Sequence, residues 1–252
     1  MDGQILELRV TNLAVRYDAS EEHWALEDVS FVLREGERVA LLGANGAGKS
    51  TLLLALVGVL ETSSGEIALD GRVVRKETLR ELRGKVGMVF QNPDDQLFMP
   101  TVHEDVAFGP RNYGVSEEQL EKRIEEVLYW LGILHLKNRL THRLSGGEKR
   151  LAALAGILIM EPSILLMDEP FSFLDPQSRQ RLKEILALLS QTMLIATHDL
   201  EMAKKFCHRA ILLRAGRLMA DVPIEDVLTD SALLERCGFQ FGRKPSPSVK
   251  LR

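Results

Sequence analysis

Residues 43–50 read GANGAGKS, with the apolar run VALL directly before them and a Leu- and Ala-rich stretch to residue 60 directly after. A G-x-x-x-x-G-K-S pattern in that setting constrains the chain to a strand, a glycine-rich turn and a helix in succession. Its glycines let consecutive backbone N–H groups face one anion, and the helix N-terminus adds partial positive charge. The ligand implied is a nucleotide, with Gly43, Ala44, Asn45, Gly46, Ala47, Gly48, Lys49, Ser50 and Thr51 around its phosphates. Lys49 is expected to reach the β- and γ-phosphates, and the Ser50 hydroxyl to ligate Mg²⁺.

The rest of the chain supplies a frame for that turn. Short strands are predicted at 5–10, 14–17, 29–33 and 38–42, divided by Asp, Gly and Glu turns, and a helix at 49–60. Strands at 66–69 and 72–74 join across Asp70-Gly71, a strong hairpin signal, and 86–90 is a further buried strand. From Asn92 to Met160 the pattern turns helical. Leu120, Ile124, Val127, Leu128 and Leu131 recur at helical spacing behind Ser116 as N-cap, and a second helix begins near Ser145. Apolar runs at 164–167 and 193–196 fit central parallel strands around a helix at 177–190. Strands at 210–213 and 218–222, turning at Ala215-Gly216, close the series. The expected fold is α/β: a P-loop NTPase core with a mostly parallel sheet and right-handed connections, an N-terminal antiparallel β subdomain and an inserted α-helical lobe at about 92–160. One domain is expected over 1–238, followed by a basic, Ser/Pro-containing tail at 239–252.

Composition narrows the setting. A net charge of −4 gives no reason to expect a nucleic-acid or anionic-membrane binder. Cys207 and Cys237 stand apart without a CxxC or a His cluster, as free thiols in a reducing cytosol do. Charged residues within the first ten positions argue against a signal peptide. The apolar stretch at 151–160 falls far short of the roughly 20 residues that cross a bilayer. Any membrane is therefore served from its surface, through a partner.

Residues 164–170 read ILLMDEP, an apolar strand ending in two acids. Such an ending can be a simple turn. Behind a phosphate loop, though, Asp168 fits the Mg²⁺ shell, directly or through water, and Glu169 can polarise the attacking water, since open parallel sheets bind ligands at this edge. The segment LSGGEK at 144–149 resembles the signature motif of ATP-binding cassette ATPases and sits where that family has it. The resemblance implies ATP as nucleotide and a head-to-tail pair of domains, in which Ser145, Gly146 and Gly147 cap the ATP held by the other P-loop. It also implies roles for further residues. Tyr17 matches the aromatic that stacks on adenine, with Trp24 a nearby competitor. Gln91 matches the glutamine that meets Mg²⁺ and the coupled partner, and His198 the histidine at the γ-phosphate. The run SFLD ending at Asp175 is similar to the loop linking the two sites, although Phe171-Ser172-Phe173 replaces smaller residues there. The match extends to about Val222.

The stretch FQNPDDQLFMPTVHEDVAFG at 90–109 resembles the ATPase of energy-coupling-factor importers, including the cobalt and nickel type. That resemblance implies an integral membrane T protein, a separate substrate-capture protein, transition-metal ions or vitamins as cargo, and a peripheral position on the cytoplasmic face of the membrane. The ATPase pair is either a homodimer or a heterodimer with a related ATPase. Asp94-Asp95 is expected to receive a basic residue of the T protein. The competing reading is a non-transport cassette ATPase of DNA repair, chromosome organisation or translation. Those proteins carry a long coiled-coil insertion or two cassettes per chain. A switch GTPase leaves LSGGE unexplained.

Overall fold

The computed structural model describes residues 6–18 and 23–238; the tail expected at 239–252 lies outside the described residues. In chain order come β1 (Glu7–Val15), β2 (Leu26–Arg34), β3 (Arg38–Leu42), α1 (Lys49–Leu56), β4 (Ser64–Leu69), β5 (Arg72–Val73), α2 (Leu79–Lys85) and β6 (Val86–Val89). Then follow α3 (Val102–Asn112), α4 (Glu117–Trp130), α5 (Gly146–Leu158), β7 (Ile164–Asp168), α6 (Pro176–Leu188) and β8 (Thr192–Thr197). The last elements are α7 (Leu200–Phe206), β9 (Arg209–Arg214), β10 (Arg217–Pro223), α8 (Ile224–Thr229) and α9 (Ser231–Arg236).

Among the described residues these strands make two sheets. One is four-stranded, in the order β2-β1-β4-β5, and antiparallel throughout. The other is six-stranded, in the order β10-β9-β3-β8-β7-β6, and parallel except where β10 pairs β9. Alternation along its strands divides the core. Val39, Leu41, Ile164, Leu166, Leu194 and Ala196 face one cluster, which also holds Leu52, Leu53 and Leu56 of α1 and Leu8, Val10 and Leu33 of the antiparallel sheet. Ala40, Leu42, Leu165, Met167, Met193 and Ile195 face the other, built with α3, α4, α5 and α6. Both faces of the parallel sheet are thus covered, which is why its strands read as unbroken apolar runs. The C-terminal ends of β3, β6, β7 and β8 are left side by side.

Several local expectations need correction. In place of separate strands at 5–10 and 14–17 there is one strand, β1 from Glu7 to Val15, with Asn12 at φ 46° where the register shifts; residue 5 lies outside the described residues. The Asn12 amide N–H donates to Ser30 Oγ at 2.7 Å, so the irregular residue keeps a hydrogen-bond partner. Tyr17 then lies beyond the strand. The helix predicted to residue 60 stops at Leu56. Gly58, at φ 66°, ends it, with Gly58 N–H donating to Ala55 O and Val59 N–H to Leu54 O, the Schellman pattern. Ser116 occupies the N-cap of α4 without a side-chain capping bond. Helix α3 falls in the expected helical lobe but was not singled out there; Gly109 and Pro110 lie in its last turn, and Thr101 with Glu104 forms a reciprocal capping box at its start. The hairpin at Asp70-Gly71 has both residues at positive φ, as a two-residue turn requires.

Candidate functional site

The loop between β3 and α1 is fixed by close packing. Gly48 sits at φ 104°, and a Cβ there would lie 2.9 Å from Leu26 Cδ2 and 3.0 Å from Ala25 O. At Gly43 a Cβ would come within 2.6 Å of Leu213 O. Only glycine meets both demands. Helix α1 carries no acid in its first turn, so its N-terminal field stays positive. Lys49 is buried and folds back, its Nζ donating to Gly43 O at 2.8 Å and Ala44 O at 3.2 Å. Burial pushes the Lys49 ammonium below its ordinary pKa, against the opposing pull of Glu169 and Asp168.

Facing this loop, β7 ends in Asp168, which is buried. Burial raises its carboxyl pKa, while a hydrogen bond from Ser50 and the charges of Lys49 and Arg150 lower it and Glu169 raises it further. Its Oδ1 has no hydrogen-bond partner among the described residues. An unsatisfied buried carboxylate oxygen beside a serine hydroxyl fits a hard cation with oxygen ligands, which is the chemistry of Mg²⁺.

Glu169 leaves the strand in the left-handed region, at φ 43°, and its N–H donates to Ala196 O at 2.9 Å. That turn sends its side chain toward the end of β8. His198 Nδ1 lies 2.7 Å from Glu169 Oε1, with the proton on that nitrogen when Glu169 is ionised. The hydroxyls of Ser172 and Thr197 donate to Oε2 at 3.3 and 3.4 Å. Glu169 is therefore buried and held by three side chains, two of which, Ser172 and Thr197, had no signal in the sequence beyond adjacency to the motifs.

One cavity of about 870 Å³ gathers most of the expected residues: Tyr17, Asn45, Gly46, Ala47, Gly48, Lys49, Ser50, Thr51, Gln91, Asp168, Glu169 and His198. Gly43 and Ala44 stand behind it and contribute carbonyls to Lys49. Tyr17 is 62% exposed and its hydroxyl lies 2.7 Å from Thr51 Oγ1. Trp24 lines the same cavity, but the Arg16 guanidinium covers its ring at 3.6 Å.

The signature segment is elsewhere. Ser145 caps α5 and, with Glu148, forms a capping box; Ser145 and Gly147 open on a separate small cavity of about 80 Å³. Gly146 borders a third cavity of about 560 Å³, which it shares with Gln91 and Asp94. Asp175 caps α6, accepting from the N–H groups of Gln177 and Ser178 and from Ser178 Oγ, and that last bond chiefly holds its carboxyl below the usual range. The acidic pair is already engaged: Asp94 Oδ1 lies 2.5 Å from Lys149 Nζ, and Asp95 Oδ1 accepts from Asn92 Nδ2 at 3.2 Å. Asp94 keeps 61% of its side chain exposed despite that contact.

Sequence reasoning missed Arg150. Its side chain is 2% exposed, and its guanidinium donates to Phe90 O and Gln91 O, the carbonyls that lead into the loop after β6. The available signal was a charged residue next to the apolar run LAALAGIL.

Comparison with known proteins gives this arrangement a family. Residues 26–172 match the model described as ABC transporter. The energy-coupling factor transporter ATP-binding protein EcfA of Methanothermobacter thermautotrophicus is 44% identical over 233 residues, covering 90% of this chain and 75% of that protein. Relatives from Geobacter sulfurreducens and Streptomyces coelicolor, 48% and 47% identical and each covering 94% of this chain (94% and 92% of their own), are named only as ABC transporter ATP-binding proteins. The solved structure of CbiO1 from Clostridium perfringens, described as part of the ABC transporter complex CbiONQ, is 36% identical with a TM-score of 0.76 and covers 94% of this chain and 95% of its own. The ATP-binding cassette MJ0796, solved as a dimer in a post-hydrolysis state with ADP and Pi, is 28% identical with a TM-score of 0.77 and covers 86% and 98%. Among the described residues no helix is long and apolar enough to cross a membrane. With its phosphate loop, paired acids and signature helix on this fold, the chain belongs to the ABC transporter family as an ATP-hydrolysing, ATP-binding subunit.

Proposed function

We propose that this chain works as one of a pair of cassettes on an importer of the energy-coupling-factor type, hydrolysing Mg²⁺-ATP in sites composed from both members. One observation carries the reading: residues 45–51 share a cavity with Gln91, Asp168, Glu169 and His198, whereas Ser145 and Gly147 open elsewhere. A single copy leaves its ATP covered on one side, and residues 145–147 of a partner supply the other. Every expected site residue is present in this one chain, which supports a second copy as the partner.

Within each site the chain's own groups divide the work. Lys49 exchanges the carbonyls of Gly43 and Ala44 for phosphate oxygens. Asp168 Oδ1, the Ser50 hydroxyl and the Gln91 side chain form the donor set for Mg²⁺, which when bound neutralises charge on the β- and γ-phosphate oxygens. Glu169, oriented by His198, Ser172 and Thr197, acts as general base toward the attacking water. Tyr17, the more open of the two rings, stacks on adenine. The relatives' names, an energy-coupling factor transporter and a transporter complex, support a place in such a transporter; the partners we propose there are a membrane T protein and a substrate-capture protein, with this subunit peripheral on the cytoplasmic face. The imported cargo is then a transition-metal ion or a vitamin and is chosen by those partners.

The test compares two variants of the purified subunit. Glu169→Gln is expected to keep ATP affinity, lose about 10²–10⁴-fold in hydrolysis and accumulate a nucleotide-bound dimer. Lys49→Ala is expected to lose ATP affinity itself. Equal losses of affinity in both, or near-wild-type turnover in Glu169→Gln, would remove Glu169 from the role of base.

A further inference from the structure

We propose that Arg150 is a positioning residue: it ties the loop carrying Gln91 to the helix that carries Ser145, so that the two segments take up one register together. The inference rests on the reading above, in which Gln91 works on the nucleotide.

Three adjacent links support it, all from one face of α5. Arg150 Nη1 and Nη2 donate to Phe90 O and Gln91 O, one nitrogen to each of two successive carbonyls. Lys149 Nζ pairs with Asp94 Oδ1. Ala153 O accepts from Gln96 Nε2 at 3.0 Å, while Gln96 Oε1 accepts from Phe90 N–H at 3.1 Å. Residues 90–96 are therefore fastened to α5 at both ends and in the middle. None of these links uses the Gln91 side chain, which stays on the wall of the nucleotide cavity.

The chemistry of Arg150 makes a purely space-filling role costly. A buried guanidinium pays for its dehydration only through good partners, and here Nε has none among the described residues. Burial holds its pKa down to about 10, against the favourable charge of Asp168. A planar fork satisfies two successive carbonyls at once, which a lysine ammonium on a flexible stem does not. The same guanidinium thus fixes the backbone at Gln91 and lies in the field of Asp168, two of the residues that would hold Mg²⁺. Ser145 caps helix α5 about one and a half turns before Arg150, so a shift of that N-terminus against a partner's ATP carries the Gln91 loop with it.

The experiment uses Arg150→Met and Arg150→Lys, each in the wild-type and Gln91→Ala backgrounds of the full chain. Steady-state ATP hydrolysis and hydrogen exchange of the peptide spanning 90–98 are measured on all of them. Arg150→Met is expected to lower kcat by about 10- to 100-fold with KM changed less than about threefold. Its loop amides should exchange faster, and Arg150→Lys should recover part of both effects. In the Gln91→Ala background Arg150→Met should cost nothing further. An equal additional loss in that background, wild-type kcat in Arg150→Met, or unchanged loop exchange overturns the proposal. If Arg150→Met does not fold, Arg150→Lys carries the same comparison. If the wild-type subunit shows no hydrolysis, the functional reading fails on its own, and the exchange measurement still decides whether Arg150 holds the loop.

Discussion

Lys49 and Asp168 face each other across the cavity, and burial pushes each toward its neutral form. For Asp168 the folded pKa is raised, so between the ordinary carboxylate value and the raised one the folded chain binds more protons than the unfolded. The contribution of Asp168 to the stability of the ligand-free subunit therefore falls as pH rises through that window and levels off above it. Asp168→Asn removes the slope and is expected to stabilise the ligand-free subunit at neutral pH by about 1 kcal/mol, the scale of relieving an unsatisfied buried group. Thermal melts of both proteins from pH 4 to 8 check the sign; a variant less stable than wild type at pH 7 contradicts it. Residues of this kind were legible in the sequence because each sits in a short contiguous motif. Ser172, Thr197 and Arg150 were not, because their roles arise where β7, β8 and α5 meet, and Arg150 alone reads as an ordinary solvent-facing charge.

The turn from β7 to α6 carries an unfavourable local feature. Phe173 lies at φ 62° and is 87% exposed, on the rim shared by the cavities that hold Gln91 and Glu169. A left-handed non-glycine residue costs about 1–3 kcal/mol, and this one buries little in return. Phe173→Gly is expected to raise the melting temperature of the isolated subunit by about 2–4 °C, as differential scanning calorimetry would record. A lowered melting temperature would mean that the ring packs within the subunit. At this scale the strands and long helices were readable from periodicity, with errors at their ends. Helix α3 was not resolved within the helical lobe, although its T-x-x-E start was in plain sight. The short helices α2, α7, α8 and α9 hold six or seven residues each, too few to display a period.

Across the whole molecule the parallel sheet separates two cores and gathers its strand ends at the cavity lined by residues 45–51, with the helices α3, α4 and α5 between β6 and β7 placing Ser145 on a separate one. The α/β class and the mixed sheets followed from the apolar runs. The opening of Ser145 and Gly147 on a cavity other than that of residues 45–51 did not, because it depends on how that helical segment packs. That separation underlies the central claim, that each ATP is handled by two copies. Its most direct test mixes purified Lys49→Ala with Ser145→Arg, each inactive alone, and measures ATP hydrolysis. Action across the pair leaves every mixed dimer with one intact site, and about half the dimers in an equal mixture are mixed, so the mixture is expected to recover about a quarter of wild-type turnover. A mixture as inactive as its components would contradict the account.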